Sequence, residues 1–330
     1  MALFLTFAIG AVSQDKAPLA LSSSIPLPEL HDGDFDHFMV DLAGNRLFAT
    51  AEENSKVLVF DLKTNKLVHS IDDLRAPHSM LYRADTRRLF VVDGDLGEVR
   101  IYDADSYKPA GSIKLKEGAD ASSYDPKTKY LYVVNGGKDA HIPNAYISVV
   151  DTDAAKVVGE IKVDSNDVEG MAIEKSGPRM FVDIRGNNTV QVYDRDKRTL
   201  LATWPLQDAK KPTAIALDES SHRLFVGTRD PGKLVVLDTE SGKVVSSLPC
   251  AAMVDDMTYD AASKRIYFAG TEFLDVFHQQ DPDHYIQIGH VATSFRAKTG
   301  VLVPELNRYY LAVPHHEKQT AELRVYEVLP

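Results

Sequence analysis

The side chains of this 330-residue chain best equipped for chemistry are His37, His78, Asp120 and Glu169, with Asp255 further on, spaced roughly 40 to 50 residues apart. Two borderline nitrogen donors and two hard oxygen donors form a set that suits zinc, manganese, iron or calcium, depending on final geometry. A divalent metal held there would polarise a carbonyl and lower the pKa of its bound water, with Glu169 or Asp255 as candidate catalytic base. His141, in the long stretch Asn135–Ala145, and the pair His315 and His316, in Val313–Thr320, are further candidate ligand-binding residues. The single cysteine, Cys250, excludes a disulfide scaffold, a CxxC redox centre and a cysteine-rich zinc or iron–sulfur site. Residues so far apart in sequence act together only if a repeated framework brings them to one place.

That framework is legible. A basic-apolar-aromatic triplet recurs as Arg46-Leu47-Phe48, Arg88-Leu89-Phe90, Tyr130-Leu131-Tyr132, Arg179-Met180-Phe181, Arg223-Leu224-Phe225, Arg265-Ile266-Tyr267 and Arg308-Tyr309-Tyr310. Successive centres are separated by 42, 42, 49, 44, 42 and 43 residues. After each triplet comes a second anchor, as in VLVFD ending at Asp61, VRIYD at Asp103 and LVVLD at Asp238. Apolar alternation at period two, rich in β-branched and aromatic residues and broken by Ala43-Gly44-Asn45 or Asp125-Pro126-Lys127, gives four short strands per copy and no sustained helical period. Repeats of about 40–45 residues with four strands predict a propeller blade. The chain therefore reads as all-β: a seven-bladed β-propeller of four-stranded blades.

The runs YLYVVNGG (130–137) and RLFVVDGD (88–95), with the VxVxD strands, resemble the YVTN-repeat β-propellers. The resemblance covers the chain after residue 18 and implies the fold, since the family is a scaffold for unrelated activities. The seventh copy stops after LRVYEV, one strand short, and Ser24-Ile25-Pro26-Leu27 matches Thr203-Trp204-Pro205-Leu206, an outgoing strand of an earlier copy. An N-terminal strand within about 18–28 is therefore expected to close the ring. The organisation expected is a signal peptide over 1–13, a segment over 14–33 carrying that strand, and blades at about 34–74, 75–115, 116–163, 164–206, 207–250, 251–293 and 294–330 plus 18–28.

The innermost strand of each blade lines the channel, and residues leading into it share one mouth. Counting back eleven residues from each triplet centre, or ten in the first copy, whose hairpin reads one residue shorter, gives His37, His78, Asp120, Glu169, Thr213, Asp255 and Lys298. Insertions carrying His141 and the His315–His316 pair fall on the same face, with His315 or His316 expected to lean in beside the first blade. Lys298, among so many acids, reads as a charge balancer. A water-filled polar entrance is the competing account of the whole ring.

Lys+Arg 37 against Asp+Glu 48 gives a net charge of −11, which disfavours a phosphate backbone as partner and leaves a small molecule or a protein at the top face. The apolar run Ala2–Val12 is too short to span a bilayer, and with Ala11-Val12-Ser13 after it predicts cleavage before Gln14 and a periplasmic or secreted protein, although no Lys or Arg precedes the run. If the run is not a signal, the protein is cytoplasmic. No integral membrane segment and a monomer are expected. The function expected is binding of a small ligand, metal ion or partner at the mouth; the alternatives are a metal-dependent hydrolase or lactonase there, and a protein or nucleic-acid scaffold.

Overall fold

In a computed structural model, which describes residues 17–330, the chain forms seven four-stranded antiparallel sheets. The expected signal peptide and its cleavage site lie outside the described residues. Six sheets use four consecutive strands; the seventh joins Thr299–Val303, Arg308–Val313 and Glu322–Val328 to Leu19–Pro26. The N-terminal strand pairs antiparallel with the last, from Leu19 opposite Val328 to Pro26 opposite Glu322, and so closes the ring. Among the described residues the helical turns are Glu52–Asn54 and Pro304–Leu306, both of the 3-10 type.

The triplets explain how the blades stack. In a strand, successive side chains leave opposite faces. Leu47 and Phe48 are both fully buried, yet Leu47 joins the cluster shared with the seventh blade and Phe48 the cluster shared with the second. Every triplet centre, from Leu47 to Tyr309, is buried in the same way. Seven apolar clusters result, one between each pair of neighbouring blades. The second strand is thus continuously apolar because both of its faces are covered.

In five of the seven blades the basic residue of the triplet is a clamp. Arg179, Arg223, Arg265 and Arg308 each donate to a backbone carbonyl of the following blade, at Thr239 (2.6 Å), Pro282 (2.9 Å), Leu329 (2.6 Å) and Leu62 (2.9 Å). Arg46 does the same to Ala104. The acids that end the VxVxD strands cap the turns beside these clamps: Asp61 Oδ1 accepts from the backbone N–H of Lys63 (3.1 Å) and Thr64 (2.7 Å). Both recurrent charged positions therefore serve the face away from the candidate site.

Candidate functional site

The backbone fixes which residues are equivalent at the mouth. Asp120 N–H donates to Val134 O, Glu169 N–H to Asp183 O and Asp255 N–H to Ala269 O, each acceptor lying three residues after its triplet centre. In the first blade the residue making that bond, to Thr50 O, is Asp36. The first hairpin is not shorter: Asp41 pairs with Arg46 as Asp125 pairs with Tyr130. A uniform count of eleven is therefore correct, and the ring position of the first blade belongs to Asp36, with His37 one residue deeper in the channel.

Corrected in this way, ring neighbours meet. His78 Nδ1 lies 2.9 Å from Asp36 Oδ2 and 3.4 Å from Asp120 Oδ1, so one imidazole links three consecutive blades. Its Nε2 is 3.8 Å from Glu52 Oε1. His37 Nε2 is 3.7 Å from Asp36 Oδ2, and its Nδ1 is 2.9 Å from Asp256 Oδ1 of the sixth blade. Lys298 donates to Asp255 and lies 3.4 Å from Asp34, as a charge balancer should. Two groups hold donor atoms within 4.8 Å of one another: Asp36, Glu52 and His78, and Asp36, His37 and Asp120. Asp36 belongs to both.

Glu169 and Asp255 stand apart from these groups. Arg185 lies 2.6 Å and Lys138 3.3 Å from Glu169 Oε1, and Asp255 is held by Arg229 and Lys298. Each is thus paired with two cationic side chains. Thr213 is buried and accepts from Arg185 at 3.4 Å. His141 is exposed on its loop at φ 56°. The other two histidines have partners outside the ring: His315 Nδ1 pairs with Asp32, and the His316 ring packs 4.7 Å from that of Phe295.

Position 52 falls five residues after a triplet centre, as do 185 and 229. These three supply counter-charges to the ring from the end of the second strand or the residue just after it, a pattern present in the sequence. Asp36 and Asp256 directly adjoin His37 and Asp255, and the alternation does not distinguish the members of either pair.

The electrostatics follow from burial and neighbours. Burial disfavours charge on His78, yet Asp120, Asp36 and Glu52 outweigh it and raise the imidazole to about 10. Burial likewise opposes charge on His37, and Asp36 and Asp256 lift it well above the usual range. Asp36 is held low, because His37 and His78 overcome its burial. Burial pushes Glu52 up to about 7 against the pull of His78, and Asp120 also rises. Glu169 reaches about 7 through burial and Asp120, opposed by Arg185 and Lys138. The mouth is thus a closed network in which imidazolium protons occupy positions a divalent metal could take.

The ring, its inner strands and the axial cavity they surround define a seven-bladed β-propeller with a charged mouth. No family model matches the chain. It is similar to the seven-bladed beta-propeller protein Rv1057 of Mycobacterium tuberculosis (strain ATCC 25618 / H37Rv), 28% identical over 152 residues, which is 44% of this chain and 38% of that protein. The match spans well under half the length of that relative. Among solved structures, a chain of the mitotic checkpoint complex superposes with a TM-score of 0.76 at 17% identity, covering 100% of this chain and 98% of its own. A chain of Kuenenia stuttgartiensis hydrazine synthase gives 0.72 at 15% identity, covering 93% and 96%. At these identities the likeness is one of fold.

Proposed function

We propose that the protein is a binding propeller whose mouth takes a divalent metal ion, with Asp36 as the shared ligand. The observation that carries this reading is the convergence of Asp36, Glu52 and His78, and of Asp36, His37 and Asp120, each within 4.8 Å. Nitrogen and carboxylate donors in that proportion suit zinc, manganese or iron better than calcium, which takes six to eight oxygens. Metal entering the network replaces one or both imidazolium protons and offsets the clustered acids. Metal analysis of protein purified without chelator tests it: about one equivalent of a transition metal is expected, and its loss on replacing His37 and His78 together with alanine.

Metal-dependent hydrolysis at the same mouth is a second reading, in which Asp36, His37 and Asp120 hold the metal and Glu52, outside that set and pushed up to about 7 by burial, transfers the proton. Ester or lactone turnover by the metal-loaded protein, lost in Glu52→Gln with metal retained, would select it over binding alone.

Membership among the YVTN-repeat propellers is part of the proposal, supported by Tyr130–Gly137 and the VxVxD strands. So is an extracytoplasmic location, supported by the apolar run before Gln14. Amino-terminal sequencing from the native host decides the latter: a start near Gln14 supports it and an intact Met1 in a cytosolic fraction excludes it.

A further inference from the structure

Asp183 is a buried carboxyl without a partner. It follows its triplet centre by three residues, and in the other six blades that position holds Thr50, Val92, Val134, Gly227, Ala269 and Ala312, none of which ionises. In its strand, Arg179–Ile184, the side chains of Met180, Val182 and Ile184 pack toward the third blade and Phe181 toward the fifth, so alternation turns Asp183 toward the fifth. It has no exposed surface, and neither of its carboxyl oxygens has a hydrogen-bond partner. Ionising such a group is costly unless a cation meets it.

A second observation concerns Arg185, two residues on and directed to the same side. Its terminal nitrogens lie 2.6 Å from Glu169 Oε1, 3.4 Å from Thr213 Oγ1 and 3.8 Å from Asp167 Oδ1, while its buried Nε has no partner. An unused donor and two unused acceptors thus sit on one side of one strand. The charged groups acting on Asp183 are Glu169 and Arg185; burial and Glu169 hold its carboxyl well above the usual range against the pull of Arg185. Of the neighbouring strands, the third places Val190 opposite Asp183, and the inner strand of the fifth blade exposes Lys210 and Lys211 to solvent. Glu169 is better placed than Asp183 to do without Arg185. It borders the axial cavity of about 280 Å³, keeps 14% of its side-chain surface, and has Lys138 at 3.3 Å as a second cation. Asp183 has no other cation to turn to, so an ionised Asp183 gains more from the guanidinium than Glu169 loses.

We infer that Arg185 is a two-position latch at the channel wall: it holds Glu169 while Asp183 carries its proton, and turns to Asp183 when that proton leaves to solvent, releasing Glu169 to the lumen. The lumen then gains an unclamped carboxylate as pH rises, which favours entry of a cation. The inference goes beyond the metal reading and does not depend on it, since none of Asp183, Arg185 and Glu169 is in the proposed metal set.

Crystal structures of the chelator-treated protein at about pH 5 and about pH 9, with carbon-13 NMR titration of its labelled Asp and Glu carboxyls, test it. At the lower pH Arg185 should hydrogen-bond Glu169, and at the higher pH Asp183. The Glu169 resonance should show a step that coincides with ionisation of Asp183. Asp183→Asn keeps the shape and has nothing to ionise, so it should remove that step and hold Arg185 on Glu169 at both pH values. Arg185 on Glu169 at both pH values in wild type, an Asp183 already ionised at the lower pH, or the same movement in a folded Asp183→Asn variant would overturn the inference. Absence of zinc binding in wild type would reject the metal reading and leave this one standing.

Discussion

His37 Nδ1 lies 2.9 Å from Asp256 Oδ1, a contact that joins the first and sixth blades across the channel although 219 residues separate the two. Asp256 Oδ2 also accepts from Gly300 N–H at 3.0 Å, so the pair ties in the seventh blade as well. His37 retains 28% of its side-chain surface, which places the pair between a buried and an exposed ion pair. His37→Ala should lower stability by about 1–2 kcal/mol, and Asp256→Ala added to it should cost less than the sum of the single changes. Denaturant unfolding of the four proteins checks this; additive losses would show the contact to be idle.

The pH dependence of stability has a definite sign. His78 rises from 6.5 to about 10 on folding, so its contribution is fully present below pH 6.5 and lost as pH climbs toward 10. Glu52 and Glu169 rise from 4.5 to about 7, so the folded state holds their protons more tightly and stability falls between those values. Metal-free protein should melt at progressively lower temperature from about pH 5 to about pH 9, where mesophilic domains more often peak between about 5 and 8. In the Glu52→Gln, Glu169→Gln double variant the slope below pH 7 should flatten. A melting temperature that rises across the range would contradict these assignments.

Ring closure by Leu19–Pro26 predicts that deleting residues 17–28 exposes the edge of Glu322–Val328. An unpaired edge of seven residues invites association. The truncated protein should melt lower and aggregate at concentrations where the full chain is dispersed, as read by scanning calorimetry and light scattering. Unchanged melting would reject the closure as a stabilising element.

Arg308 clamps the seam between the seventh and first blades through Leu62 O. Arg308→Met keeps much of the aliphatic stem but strands the carbonyl, and should cost about 1–2 kcal/mol. A loss below about 0.3 kcal/mol by urea unfolding would mean that water replaces the clamp without cost.

The fold was legible because burial repeats. Leu47, Leu89, Leu131 and their counterparts face neighbouring blades, so spacing and residue type carry the architecture directly. The site was legible only to within a residue, because nothing in the alternation marks which of two adjacent polar residues, Asp36 or His37, takes the ring position; a backbone hydrogen bond to Thr50 decides it. Glu52 could have been found at the position shared with Arg185 and Arg229. The pairing of His315 could not, since its partner Asp32 lies in the segment leading into the first blade, 283 residues away.

In the proposed metal site, Asp36 holds a cation that enters in exchange for protons. Zinc titration of the chelator-treated protein, by calorimetry at neutral pH in two buffers of different ionisation enthalpy, tests it most directly. One saturable site with release of about one proton or more per metal, abolished in a folded Asp36→Asn variant, is the predicted result. No saturable binding, binding without proton release, or an Asp36→Asn variant that binds zinc as tightly as wild type would contradict it.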